Sequence, residues 1–133
     1  MAFALKNLGV QQGDRIGTLG WNTFRHFELY YSISGIGAIC HTINPRLFHE
    51  QISYIVKHAA DKFLFLDTTF IPIIEKLKDD LDGIKQIILM TSKENMPEST
   101  ISFTCYEDLI DSSEEIDSWP KFDEKTASSL CYT

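Results

Sequence analysis

One alternation limits what this chain can fold into. Short apolar runs begin near residues 15, 38, 62 and 85, and a helix-patterned stretch fills each gap between them. The repeat of about 23 residues falls inside the leucine-rich range of 20–29. The L-x-x-L-x-L pattern is missing, however, and each unit holds a whole helix, which sets a solenoid aside. Strand-helix-strand alternation calls instead for a parallel sheet with right-handed crossovers. The expected fold class is α/β, a mostly parallel sheet with crossover helices.

Residues 1–8 read as the end of an amphipathic helix with Phe3, Ala4 and Leu8 on one face. A strand follows over 15–19, where Gly17 marks a close backbone approach. Thr23 caps a helix carrying Phe24, Phe27, Tyr30, Tyr31, Ile33 and Ile36. That helix is apolar around much of its circumference, so it is expected to be mostly buried. A second strand spans 38–43, and Pro45 turns the chain. Phe48, Ile52, Ile55, Val56 and Ala59 fall on one helical face. Residues 62–66 form an unbroken apolar run, the pattern of a strand covered on both faces.

Phe70, Ile73, Ile74, Leu77 and Leu81 outline a further helix, with Pro72 tolerated in its first turn. Another strand spans 85–90. Beyond a polar loop, the expectations are an edge strand over 101–105, a short helix over 106–110 and an acidic solvated stretch over 111–121. In that stretch Trp119-Pro120 would grip the body. A helical turn is expected over 123–127, and Leu130 and Tyr132 alternate as in a last strand. No internal domain boundary is visible.

The net charge of −7 argues against a nucleic-acid partner, which asks for a basic patch. No apolar run reaches the roughly 18 residues of a membrane span. The N-terminal residues lack the cleavage pattern of a signal peptide. Cys40, Cys105 and Cys131 are odd in number and widely spaced, which points to reduced thiols and a cytoplasmic location. No spacing resembles a zinc site.

Candidate chemistry is sparse. Gly35-Ile36-Gly37 begins like a dinucleotide fingerprint, but position 40 is Cys and the motif sits where a helix ends. Asp67 follows a strand as a phosphoacceptor would, yet no acidic pair follows the first strand; it reads as a helix cap. His26, His49 and His58 read as solvated or partly packed helix residues. His41 lies near the carboxyl end of the second strand, the end at which open parallel sheets bind ligands, and reads first as a packed histidine. No serine sits in a nucleophile elbow, and no carboxylate pair has a recognisable geometry.

An ordered set of segments goes further: Gly13-Asp14-Arg15, Leu19-Gly20-Trp21-Asn22, Phe24-Arg25-His26, Gly37-Ala38, His41-Thr42-Ile43-Asn44-Pro45-Arg46-Leu47 and Ile52-Ser53-Tyr54-Ile55. Together with Asp61-Lys62 and Phe65-Leu66-Asp67, they resemble the AMP-forming acyl-CoA synthetases of the adenylate-forming superfamily. The His-Thr-Ile-Asn-Pro-Arg-Leu segment is most similar to the medium- and long-chain fatty acid branch. The resemblance implies a ligase that joins a fatty acid to ATP as an acyl-adenylate and then transfers it to CoA, with Mg²⁺ as cofactor. It further implies a homodimer for the full-length enzyme.

The same resemblance implies that 1–133 is a partial AMP-binding domain, truncated at both ends and inactive alone. Thr133 would be the opening residue of the loop that grips the ATP phosphates, and would contact the phosphate and Mg²⁺ region. No catalytic residue is carried over. The alternative is a non-catalytic α/β binding or interaction module that pairs with another chain. Either way, an exposed sheet edge leads to an expectation of marginal stability.

Overall fold

The computed structural model describes residues 1–115 and 117–133; Ile116, inside the expected acidic stretch, lies outside them. The strands are β1 (Arg15–Leu19), β2 (Ile39–Thr42), β3 (Phe63–Leu66), β4 (Gln86–Leu89), β5 (Thr104–Cys105) and β6 (Ser129–Cys131). They form one sheet in the order β5-β4-β3-β1-β2-β6, and every neighbouring pair is parallel. The helices are α1 (Ala2–Asn7), α2 (Phe24–Gly35), α3 (His49–Ala59), α4 (Ile71–Leu77) and α5 (Tyr106–Asp111).

Two apolar layers clamp the sheet, which explains why its inner strands read as unbroken apolar runs. On one face Ile16, Cys40, Phe63, Phe65 and Ile88 meet Leu5, Leu29, Ile33 and Tyr106, which come from α1, α2 and α5. On the other, Leu19, Ile43, Leu64, Leu66 and Leu89 meet Ile52, Val56, Ile74 and Leu77 from α3 and α4. Both faces are therefore largely apolar at the centre, where burial of apolar area stabilises most.

Local chemistry sets the ends of the helices. The Thr23 hydroxyl accepts the His26 N–H at 3.4 Å and starts α2. At the end of α3 the chain turns through Ala60, at φ +53°. Arg15 serves that helix end: its guanidinium donates to the carbonyls of Ala59 at 2.7 Å and Ala60 at 3.4 Å. A cation on free C-terminal carbonyls satisfies both their hydrogen-bonding need and the helix dipole.

Three expectations need correction. Helix α2 is not mostly buried: it buries Leu29, Ile33 and His26, while Phe24, Phe27 and Tyr31 are 62%, 63% and 64% exposed. Only one face of its apolar circumference meets the sheet. Phe48 does not join the buried face of α3; it is the N-cap residue and 77% exposed. The helical turn expected over 123–127 is present as one turn closed by the Thr126 N–H on the Asp123 carbonyl. Asp67 makes no side-chain cap, as described below.

Other readings hold. Gly17 does mark a close approach: a Cβ there would lie 3.0 Å from both Asp61 Oδ2 and Leu64 Cδ1. Trp119 does grip the body, its ring lying so close over Gly35 that an added Cβ would sit 2.5 Å from Cζ3.

Candidate functional site at the carboxyl edge

Open parallel sheets bind ligands beyond the carboxyl ends of their strands, where successive connections leave in opposite directions. Here that place lies between β1 and β3, since β1 is followed by β2 on one side while β3 lies on the other. The crevice is filled by the protein itself. The Trp21 N–H donates to Asp67 Oδ2 at 3.3 Å, and the Trp21 ring lies 5.1 Å from that of Phe70. Gly20 passes so close to Met90 that a Cβ would fall 2.3 Å from its methyl. Asp67 therefore neither caps a helix with its side chain nor stands free as a phosphoacceptor; it ties two loops together.

His26 supports this closure and is packed more fully than the solvated or partly packed helix residue expected. It is buried, with Nδ1 3.1 Å from the Trp21 carbonyl and Nε2 3.0 Å from Thr18 Oγ1. A carbonyl only accepts, so Nδ1 carries the proton; the single Thr18 hydroxyl proton faces both Nε2 at 3.0 Å and the His41 carbonyl at 3.3 Å. Burial pushes the His26 pKa down, opposed by the bond to Trp21 and by the Asp67 charge. The neutral ring is thus the form that fits.

The second cluster lies between β2, β6 and the end of α3. His41 Nδ1 is 2.7 Å from Asp61 Oδ2, with the two side chains wholly shielded from solvent. Burial pushes the Asp61 carboxyl up, and the hydrogen bond and charge of His41 oppose it. His41 is the packed histidine expected from its strand; Asp61 is the partner that sequence reasoning missed. Its only sequence signal was a charged residue directly before an apolar strand. His41 Nε2 and Asp61 Oδ1 are buried without a hydrogen-bond partner.

The His41 ring lies 5.3 Å from that of Tyr132, whose hydroxyl is 2.6 Å from His58 Nδ1. His58 stacks on Tyr54, one turn back on α3, with ring centroids 5.3 Å apart. His49 opens α3 and takes no part in this cluster. Thr133 is exposed just beyond β6.

The remaining motifs do not converge on a ligand. Gly35 lies under Trp119, and Gly37, at φ +81°, makes the turn into β2. Both stand at the amino end of that strand, opposite the end where a phosphate loop works. Cys40 and Cys105 are buried and Cys131 exposed, all three as free thiols; burial pushes the Cys40 thiol up to about 11. Among the described residues no three His, Cys, Asp or Glu side chains group as a metal site. The single hydroxyl of Thr133 does not make one, since a hard cation takes several oxygen ligands. These residues alone therefore do not hold the Mg²⁺ that the resemblance implies.

Residues 1–133 match the family described as AMP-binding enzyme. The chain is 49% identical over its whole length to the 3-methylmercaptopropionyl-CoA ligase of Ruegeria lacuscaerulensis, covering 25% of that protein. It is 46% identical, again over its whole length, to the medium-chain-fatty-acid–CoA ligase of Ectopseudomonas oleovorans, covering 24% of it. An anthranilate CoA ligase solved with anthranoyl-AMP superposes with a TM-score of 0.89 at 23% identity, over 99% of this chain and 24% of that one. That last likeness concerns the fold. The chain spans about a quarter of the length of the curated relatives it matches.

Proposed function

The chain belongs to the AMP-binding enzyme family, and from that premise we propose that it is part of an AMP-forming fatty acid–CoA ligase. The reaction so assigned joins a carboxylate to the α-phosphate of ATP, releases pyrophosphate, and then passes the acyl group to the thiol of CoA. Mg²⁺ would neutralise phosphate charge, held mainly by residues beyond those described. Residues 1–133 are read as a portion of the AMP-binding domain, set in a cytoplasmic enzyme that functions as a homodimer. The observation that carries the reading is near-half identity to two CoA ligases along the entire chain.

In this reading the chain's own residues do not perform chemistry. They build the central sheet and bring β6 to the point where the phosphate-binding segment begins, with Thr133 as its first residue. Charge neutralisation and positioning at the phosphates dominate such transfers. A chain offering one hydroxyl there is expected to be inactive alone. The exposed β6 and the aromatic face of α2 also favour a related reading, in which the remaining part is supplied as a separate polypeptide.

A chimera tests the assignment. This chain replaces the matching segment of the Ectopseudomonas oleovorans ligase, and acyl-CoA formation from ATP, CoA and fatty acids of graded length is measured. ATP-dependent product formation by the chimera, with none from the 133-residue chain, is the expected outcome. A folded chimera without acyl-CoA formation would overturn the reading.

A further inference from the structure

We propose that His41, Asp61 and His58 form a positioning device that fixes the exit of β6, and with it the direction in which Thr133 leaves the sheet. The proposal rests on the reading of Thr133 as the first residue of the phosphate-binding segment. β6 needs such help. It has three residues, pairs with β2 alone, and leaves Ser129 and Cys131 exposed. Three register pairs hold its backbone: Cys40 with Ser129, His41 with Leu130 and Thr42 with Cys131. Two ring contacts from below then grip the residue at its exit. Tyr132 lies against His41 and has its hydroxyl on His58 Nδ1 at 2.6 Å.

The grip is referenced to the centre of the sheet through Asp61. This carboxylate accepts from His41 Nδ1–H at 2.7 Å and lies over Gly17 of β1, where the missing side chain makes room for it. His58 lies in the last turn of α3 and Asp61 just past its Ala60 cap, so one helix exit sets both rings. A buried ionisable pair is a poor way to stabilise a fold, because well-packed apolar residues often do as well or better. Here the pair also leaves His41 Nε2 and Asp61 Oδ1 unpartnered. What a directional 2.7 Å bond supplies, and an apolar contact does not, is a fixed ring orientation against Tyr132.

Two measurements test this. On the 133-residue chain, backbone hydrogen exchange is followed by NMR for Asp61→Ala, Asp61→Asn and the apolar double variant His41→Leu/Asp61→Leu. Faster exchange confined to residues 129–133 in Asp61→Ala and in the double variant is expected. Asp61→Asn, which still accepts from Nδ1–H, should restore protection. Unchanged exchange there in a folded double variant overturns the proposal, whatever the fate of the ligase reading.

In the active chimera, the same variants are assayed by ATP–pyrophosphate exchange. The double variant is expected to lose about tenfold to a hundredfold in kcat or in KM for ATP, the effect of a small misplacement. KM for the fatty acid should hold within about twofold, since uniform binding is untouched. A folded double variant that exchanges at the parental rate overturns the proposal. An inactive parental chimera counts against the ligase reading instead, and the exchange data then decide this one.

Discussion

The two edges of the sheet are finished in opposite ways. At the β5 edge, the Gln86 side chain bonds to Thr104, and the Cys105 thiol donates to the Thr91 carbonyl at 3.3 Å. Tyr106 follows, fully buried, its hydroxyl donating to Glu28 at 2.7 Å while Arg25 pairs with Glu107 at 2.6 Å. Helices α2 and α5 are thereby locked over the strand ends. At the β6 edge no helix among the described residues closes over the strand, and Phe27, Tyr30 and Tyr31 of α2 line an open hollow with Ser128 and Ser129. An edge strand left bare is a template for further pairing. The contrast separates a covered side of the sheet from an uncovered one.

The contrast breaks most readily under truncation of side chains. Tyr106→Ala should cost about 3–5 kcal/mol, as for other large buried rings. Leu130→Ala on β6 should cost below about 1 kcal/mol, since it deletes half-exposed surface. Urea denaturation of both variants measures this, and equal losses would show that the two edges are equally committed.

Gly17→Ala sharpens the link between the centre and the open edge. Its Cβ would press on Asp61 and Leu64, so a loss of about 1–3 kcal/mol is expected from overpacking. Thermal denaturation reads the loss, and the Tyr132–His58 contact should weaken with it. A neutral substitution would mean that the Asp61 carboxylate is not confined.

Acid distinguishes the two buried histidine sites, because their shifts have opposite signs. His26 has a lowered pKa, so its contribution is present above the ordinary value of 6.5 and is lost as pH falls below it. Asp61 has a raised pKa, so its contribution is complete below the ordinary 3.8 and is lost as pH rises above it. Asp61→Asn should therefore raise Tm relative to the parent at pH 7 and lose that advantage near pH 3.5. The reverse trend would mean that the His41 contact outweighs burial.

The smallest effect is a rate. Cys131 should react with a thiol reagent at native pH, while Cys40, one strand inward, stays unlabelled because it is buried and its thiolate is disfavoured. Comparable labelling of Cys40 would reveal that β6 detaches from β2.

Sequence periodicity made the sheet legible because covered parallel strands are apolar throughout, as 63–66 are. It could not reveal which side of α2 faced inward. Phe24, Phe27 and Tyr31 carry as much apolar surface as Leu29 and Ile33, and only the position of the sheet distinguishes them. The histidines divided along the same line. His41 sits in a strand and was legible as packed, whereas His26 lies on a helix and is buried by a loop whose course depends on Asp67, over forty residues away. The pairing of His41 with Asp61 likewise depends on strand order, since β3 must cross past β1 before the two side chains meet. Thr133 could be reached only through the resemblance, because a lone threonine has no pattern of its own.

The strand order also carries a schedule. β1 is made first and ends in the middle, and β3, β4 and β5 are then laid down outward on one side. β2 is made early but waits about ninety residues for β6, which at ordinary synthesis rates is roughly five to twenty seconds. During that interval a nascent chain on the ribosome presents Cys40 and His41 on an unpaired flank. A chaperone that shields sheet flanks would therefore find this protein most in need between the emergence of β2 and the arrival of β6.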